Sequence, residues 1–587
     1  SRLVLSTLGA MLLAVPLIRR WPGRRQIAVI LVSDLVLTAF TYGDLLHYRA
    51  FGALSSVAQL GVVAQLADVW EGVLGLVEAR DLLLFADVAA LAFALAFPRP
   101  DRWPALGPKS LVGTAVVGAS VIALTAWDSP RFSTSWKGKS FLAGDIGLLG
   151  YHVVDVLDVV KKARERRDHV PSEEIVSSAA EALRRAGTEG EASASFGAAT
   201  GHNVILLQVE SFQGFAAGLE IGGQKVTPRF DGVAVESMVF DRFFHVASIG
   251  RTSDAQFAAN CSLLPSTSKP VAVGYLENEY RCLPALLAEA GYATAAFQPL
   301  EPDIWNASAM DRKMGYQRSF SSKDFVAEER IGMGHSDRSL LRQVAQKLEA
   351  LPEPFLASVL TISSHTPFDW PGIPKELDLG ALEGTRVGHF LHAIRYTDEA
   401  LGEFVDALRA TGLLERSVLV VYGDHDAWTR KNSNLRDLLA IDPEDEGGWL
   451  EEERRVALAI RLPRGEGAGR YATVGSQLDL APTVLALLGR SRDEAYFQGR
   501  DLLGPAPAAP IAAMPDGSAI GTDLVHLSAQ RTLGEARCYS AGKAVPVERC
   551  AALAKRAGEQ AALAQDVLDG DLIPLIARRR LVADVVH

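Results

Sequence analysis

The chain has 587 residues, 48% of them hydrophobic, and 59 Lys and Arg against 70 Asp and Glu leave a formal net charge of −11. At roughly 100–200 residues per domain this is about three or four units. The 51 Gly and 28 Pro are scattered without a period, and there are 4 Cys. Collagen-like chains, disulfide scaffolds and proteins that coat nucleic acid with a basic surface are therefore excluded. The mean hydropathy of +0.12 is high for a soluble enzyme, and the excess lies at the front of the chain.

Leu3 to Ile18 carries no charge and ends at Arg19-Arg20. Ile27 to Tyr42 is apolar except for Asp34, Leu82 to Phe97 except for Asp87, and Ser110 to Trp127 carries no charge. Each run approaches the length a helix needs to cross a bilayer and lacks the polar face of a soluble helix. The expectation is four spans. Arg19, Arg20, Arg24 and Arg25 mark the first connection as cytoplasmic, and Arg99, Arg102 and Lys109 mark the last. Residue 1 and everything after about residue 128 then lie outside, which implies an earlier span and five in the parent protein. Leu45 to Arg80 is expected at the outer interface as short amphipathic helices. Residues 145–190 are helical in pattern and charged, running into a Gly, Ala and Ser-rich stretch at 187–201, which reads as a stalk. The domain expectation is 1–128 membrane, 129–201 stalk and 202–587 exterior catalytic unit. In an oxidising exterior, Cys261 with Cys282 and Cys538 with Cys550 are each as consistent with a disulfide as with buried thiols.

From residue 203 short apolar runs alternate with helical patterns: Asn203–Val209, Met238–Phe243, Ala293–Phe297, Phe355–Thr361, Ser417–Tyr422 and Val456–Ile460. Buried strands alternating with helices predict an α/β domain with a mostly parallel sheet, whose ligand site forms at the carboxyl ends of the strands. The residues there carry chemistry. Glu210 follows the first strand and Asp424-His425 the fifth. Two carboxylates and an imidazole suit Mn²⁺, Mg²⁺ or Zn²⁺, although Glu210 as a helix cap and Asp424 as a strand terminator is the plainer reading of each alone. Thr252 stands in Gly250-Arg251-Thr252-Ser253-Asp254 ahead of a helical pattern. By spacing it reads first as an N-cap and second as a nucleophile at a helix N-terminus, with Ser253 a competitor for either role. His365, in a Ser-Ser-His-Thr-Pro-Phe turn, either serves a phosphoryl group or bonds backbone, and Trp305 is either a pocket wall or packing. Gln477 to Thr483 reads as a structural strand-to-helix junction.

Glu210-Ser211, Gly250 to Ala255, Ser364 to Phe368, Gly423-Asp424-His425 and Asp479 to Thr483 stand in the order and spacing of the lipoteichoic acid synthase-like phosphoglycerol transferases. The whole chain resembles these membrane-anchored members of the sulfatase and alkaline phosphatase superfamily. The resemblance implies a multi-span helical membrane domain followed by an exterior α/β/α catalytic domain. It implies that Glu210, Thr252, Asp424 and His425 bind one divalent ion, Mn²⁺ in the best-known relatives. Thr252 would be the nucleophile, with His365, Trp305 and Arg251 at the substrate. The implied reaction moves phosphoglycerol from a lipid such as phosphatidylglycerol to a glycolipid, glycan or growing polyglycerolphosphate acceptor, through a phospho-Thr intermediate.

Three positions depart from that pattern. The family's Trp-Asn-Arg reads Trp305-Asn306-Ala307, which removes a guanidinium from the expected pocket and leaves Arg251 or Arg312 as candidates to replace it. Arg251 stands where many relatives have Lys, and Gln256 where many have Glu. The alternatives are a phosphoethanolamine transferase, a metal-dependent phosphodiesterase or sulfuric-ester hydrolase, and a catalytically silent envelope scaffold. No Cys/Ser-x-Pro-x-Arg signature stands near Thr252.

Overall fold

The computed structural model describes residues 2–19, 23–51, 54–57, 73–74, 76–95, 107–127, 136–168, 171–188, 193–427, 432–492, 495–505, 507, 509–532 and 534–586. They form two compact units, the first ending at Asp168 and the second beginning at His169.

The first unit contains α1 (Arg2–Arg19), α2 (Gly23–Phe51), α3 (Ala86–Leu95), α4 (Pro108–Trp127) and α5 (Trp136–Asp168). The apolar runs at Leu3, Ile27 and Ser110 lie inside α1, α2 and α4. The run from Leu82 opens as a 3₁₀ turn to Phe85 before α3. Among the described residues one helix, Arg25–Arg49, is long and apolar enough to cross a membrane. The interfacial helices expected between Leu45 and Arg80 fall largely on 58–72, outside the described residues, and Leu45 itself continues α2. α1 packs along α4 so closely that a Cβ at Gly118 would sit 2.7 Å from the Gly9 carbonyl oxygen, the kind of backbone approach small residues permit between apolar helices. α2 and the segment after it are tied to α5 by polar groups: Asp44 Oδ2 lies 2.7 Å from His152 Nε2, and Ser56 Oγ donates to both oxygens of Asp155 at 2.9 Å.

The second unit opens with α6 (Glu173–Thr188) and is organised by an eight-stranded sheet. Its strands are β1 (Asn203–Val209), β2 (Met238–Phe240), β3 (Ala293–Phe297), β4 (Arg318–Phe320), β5 (Phe355–Leu360), β6 (Ser417–Gly423), β7 (Leu458–Arg461) and β8 (Gly469–Tyr471). The order is β8-β2-β7-β6-β1-β5-β3-β4. All strands run the same way except β7, which is antiparallel to both neighbours. The mostly parallel sheet expected from the sequence is therefore present. The expected strand at Met238–Phe243 stops at Phe240: Asp241 N–H still donates to the Tyr471 carbonyl at the end of β8, a turn follows at 241–242, and Phe243–Phe244 pairs separately with Gly475–Ser476.

β1 is buried at every position, as a central strand covered on both faces must be. Its alternate residues feed two cores. Val204 and Leu206 join Phe257, Leu480 and Val484, while Ile205, Leu207 and Val209 join Leu340, Phe390 and Phe404. The first face is covered by α7 (Thr252–Cys261), and the second by α8 (Asp337–Glu349) and α9 (Arg386–Ala410). Ser336 caps α8 by accepting from Ser339 N–H, and Thr385 caps α9 by accepting from Gly388 N–H. Residues 193–201 are docked on this unit: Gly197 and Ala199 N–H donate to the carbonyls of Ala486 and Leu487. A second, antiparallel sheet runs from β9 to β13 (Ala512–Ala513, Ala519–Ile520, Val525–Leu527, Arg537–Ser540 and Lys543–Val545) in chain order. Both disulfides weighed from the sequence are formed, Cys261–Cys282 at the end of α7 and Cys538–Cys550 beside the small sheet.

Candidate active site

β1 and β6 are neighbours, with Val209 paired to Gly423. The residues that follow, Glu210 and Asp424, therefore emerge side by side at the carboxyl end of the sheet. The junction is tight: a Cβ on Gly423 would lie 2.1 Å from the Phe212 carbonyl oxygen, so only glycine fits. Backbone and side chains then fix the carboxylates. Glu210 N–H donates to Thr361 Oγ1 (3.0 Å), and Ser364 Oγ donates to the Glu210 carbonyl (2.6 Å), both from the exit of β5. Ser211 takes a left-handed backbone (φ 55°) that lets its N–H reach Asp424 Oδ1 (2.7 Å) while its hydroxyl donates to Glu210 Oε1 (2.7 Å). Left-handed conformations at non-glycine residues are uncommon, and they concentrate at functional sites.

A second such residue, Arg251 (φ 49°), immediately precedes α7 and occupies its N-cap position. Thr252 is thus the first residue of the helix rather than its cap. Its Oγ1 lies 3.0 Å from Glu210 Oε2 and 3.2 Å from His425 Nε2. Ser253, the competitor, turns its hydroxyl back to the Gly250 carbonyl (2.9 Å). His425 Nε2 also lies 3.5 Å from Glu210 Oε1 and 3.5 Å from Asp424 Oδ2. Glu210, Thr252, Asp424 and His425 are therefore one cluster, and all but the partly accessible Thr252 are buried.

The arrangement has the donor set and charge of a cation site. Glu210, Asp424 and His425 can each offer a ligand atom within 4.8 Å of the others. Burial pushes both carboxyl groups above their usual range, and Asp424 is raised further by Glu210 beside it. Asp424 Oδ2 is buried and accepts no hydrogen bond. Two adjacent carboxylates with an unused lone pair are what a divalent ion would neutralise. Burial, helped by Arg251, holds His425 well below the ordinary imidazole range and so neutral. Its Nδ1 lies 3.0 Å from the Asp426 carbonyl oxygen and 3.1 Å from Arg251 NH2, while Nε2 faces the two carboxylates and Thr252 Oγ1.

Residues 202–490 match the family described as Sulfatase, and residues 2–168 match the Lipoteichoic acid synthase N-terminal domain. The chain is 28% identical over 494 residues to Lipoteichoic acid synthase 1 of Bacillus subtilis, covering 82% of this chain and 76% of that protein. It is 27% identical over 571 residues to the Lipoteichoic acid synthase-like YvgJ of the same organism, covering 94% and 89%. Its fold superposes on the crystal structure of the lipoteichoic acid synthase LtaP from Listeria monocytogenes with a TM-score of 0.60 at 26% identity, over 67% of this chain and 98% of that one. The chain is a lipoteichoic acid synthase-like protein of the sulfatase superfamily.

In this synthase-like enzyme the remaining expected residues divide into two groups. Arg251 is drawn into the cluster, with NH1 donating to Asp426 Oδ1 (2.7 Å) and NH2 to the Asp426 carbonyl (2.6 Å). Burial would raise the Asp426 carboxyl, but Arg251 and the buried His245, 3.5 Å away, hold it well below the usual range. Arg251 thereby ties down the Asp426 backbone and packs its NH2 against His425 Nδ1 at 3.1 Å. His365 follows β5, the strand on the other side of β1, and feels the charges of Asp424 and Arg251. Its Nδ1 donates to the Thr366 carbonyl (2.8 Å), and burial lowers its pKa, leaving a neutral ring with Nε2 as acceptor.

Trp305 lies after β3 on left-handed backbone (φ 53°), followed by Asn306 (φ 52°), whose side chain donates to the Ala272 carbonyl (2.9 Å). Ala307 opens the next helix, on which Arg312 is exposed. The sequence reading missed two contributors. Asp426 lay in plain view as the last residue of Gly-Asp-His-Asp. Gln477, read as structural, donates through Nε2 to the carbonyls of Gly423 (3.1 Å) and Asp424 (2.7 Å) while its Oε1 accepts from Val246 N–H (3.1 Å).

Proposed function

We propose that this chain transfers phosphoglycerol from a lipid donor, phosphatidylglycerol in the first instance, to a glycolipid, glycan or growing polyglycerolphosphate acceptor. The observation that carries the reading is the Thr252 hydroxyl between Glu210 Oε2 and His425 Nε2, at 3.0 and 3.2 Å, in a chain whose curated relatives are named lipoteichoic acid synthases. Glu210, Thr252, Asp424 and His425 would hold one divalent ion, with Mn²⁺ favoured by resemblance and Mg²⁺ or Zn²⁺ compatible with the donors. Such an ion lowers the pKa of a hydroxyl bound to it and offsets charge that develops on phosphorus.

Thr252 Oγ1 attacks the donor phosphorus, the bond to the diacylglycerol oxygen breaks, and phosphoglycerol is left esterified to Thr252. An acceptor hydroxyl then attacks the same phosphorus and Thr252 Oγ1 leaves. Because His365 is neutral with its proton on Nδ1, its Nε2 accepts from a hydroxyl, such as one on the glycerol, rather than donating to a phosphate oxygen. Thr252 stands at the start of α7, whose positive dipole end favours negative charge on the reacting phosphate. Residues 1–128 serve as a multi-span anchor and 129–201 as a stalk. The catalytic unit, 202–587, then works on the exterior face, where confinement to the surface supplies proximity to a lipid donor.

The test is incubation of membranes carrying the protein with headgroup-labelled phosphatidylglycerol and Mn²⁺, followed by mass spectrometry of Thr252. Label on Thr252 that disappears in Thr252→Ala is the expected result; an unlabelled wild type, or unchanged label in the variant, overturns it. Because Ala307 removes a guanidinium from the pocket, labelled phosphatidylethanolamine is run alongside, and preferential labelling from it would make this a phosphoethanolamine transferase.

A further inference from the structure

A phosphodiester that reaches Thr252 brings its own negative charge to a place already holding Glu210 and Asp424. It needs a cationic donor that no carboxylate has neutralised. Arg251 does not qualify, since its guanidinium is bound to Asp426. Arg312 lies on the helix that opens at Ala307, and its charge acts on Asp311 rather than on any residue of the Thr252 cluster.

Arg386 differs from both. It is the first residue of α9, a helix of 25 residues capped by Thr385, and so stands on a rigid base. Its NH2 donates to Thr366 Oγ1 at 3.2 Å. Thr366 is the residue whose carbonyl holds His365 Nδ1. The guanidinium carbon lies 5.6 Å from the ring centroid of Phe368, which is itself held on left-handed backbone (φ 76°). Among the described residues no carboxylate forms an ion pair with Arg386, although Asp426 is near enough for its charge to act on it. Although the residue is exposed overall, its charged end is desolvated enough to lower its pKa.

The geometry points to Arg386 as the anion-binding residue of this site, gripping a phosphate group of the substrate from the His365 side. This rests on the phosphoryl-transfer reading above and names the contact that reading lacked. One donor on Thr366 and the ring of Phe368 fix the guanidinium plane. The remaining N–H groups can then meet phosphate oxygens as a fork, which a lysine ammonium cannot reproduce. The phosphate belongs either to the reacting donor headgroup or to an acceptor chain that already carries phosphodiesters; the chemistry of recognition is the same.

The experiment uses the full chain in detergent, loaded with Mn²⁺, as wild type, Arg386→Ala and Arg386→Lys. Inorganic phosphate binding is read by calorimetry. Arg386→Ala should weaken it by about ten- to a hundred-fold, and Arg386→Lys should recover only part of that loss. Mn²⁺ affinity and Tm should not move, which separates anion binding from damage to the site. Unchanged phosphate affinity in Arg386→Ala overturns the assignment. In turnover assays the loss should appear in KM more than in kcat. A KM shift confined to the donor lipid assigns the phosphate to the headgroup, one confined to the acceptor assigns it to the growing chain, and a shift in neither overturns the assignment. If phosphate binding depends on Arg386 while no lipid labels Thr252, the transferase reading fails and the anion site stands. If Thr252 is labelled and phosphate binding ignores Arg386, the reverse holds.

Discussion

The two units each bury a carboxylate beside a histidine, with opposite outcomes. In the first unit Asp44 is closed: Oδ2 meets His152 Nε2 at 2.7 Å, and Oδ1 accepts from the backbone and hydroxyl of Ser55. Asp155, fully buried, is likewise surrounded by Ser56 Oγ and Val57 N–H. In the second unit His425 stands 3.5 Å from both Glu210 and Asp424, and Asp424 Oδ2 has no donor. The same residue types build a tie in one place and an unmet electrostatic demand in the other. What separates them is donor supply, since a buried carboxylate whose lone pairs are all used has nothing left to offer a ligand.

The largest test of that contrast is functional. Asp424→Asn should lower phosphoglycerol transfer by at least about 10³-fold, while Asp44→Asn should leave turnover per folded molecule unchanged. Equal losses in a headgroup-transfer assay would erase the distinction. Next in size, Asp44→Asn should destabilise the first unit by about 1–3 kcal/mol, because His152 and Ser55 lose a charged acceptor; thermal unfolding of the full chain in detergent reads this.

A further carboxyl sharpens the comparison. Asp311, in the catalytic unit, is closed by Gln256 Nε2 (3.0 Å) and Ser319 Oγ (2.6 Å), but burial still pushes its pKa up to about 6. The folded value exceeds the unfolded one, so the contribution to stability is greatest below about pH 4 and is lost as pH rises through about 6. Asp311→Asn should flatten the fall in Tm across that window, worth about 3 kcal/mol for a shift from 3.8 to about 6; an unchanged slope would show that this carboxyl is not the one titrating. The smallest effect concerns the chelated protein, where Asp424→Asn should raise stability by about 1 kcal/mol by relieving repulsion from Glu210. A lower Tm under chelation would mean that Asp424 is a tie like Asp44.

The central strands and the cluster were legible because their signals are local. Apolar runs such as Asn203–Val209 and Ala293–Phe297 match β1 and β3 residue for residue, and the chemistry-bearing residues sit directly after them. β4 and β8 were not legible: Arg318–Phe320 and Gly469–Tyr471 are short edge strands with charged or glycine residues and no periodicity to read. The small sheet at 512–545 was missed because its strands are only two to four residues long, too short to show alternation. By spacing alone Thr252 read first as an N-cap and only second as a nucleophile, and the resemblance reversed that order; the structure gives the cap position to Arg251 and makes Thr252 the first helical residue. Arg386 was invisible, since its relation to His365 exists only once α9 is laid against the exit of β5.

The pairing of β1 with β6 also bears on timing. Ser211 and Asp424, joined by a hydrogen bond, are 213 positions apart. The donors beside them become neighbours only after β5 and α9 have been made and β6 has docked in register, because a one-residue slip would turn alternate side chains to the opposite face. Contacts so distant in sequence form late and slowly. A metal that needs both carboxylates would therefore engage the finished sheet and no earlier intermediate, and by mass action would hold it closed. Metal uptake during refolding would then serve as a clock for completion of the catalytic unit.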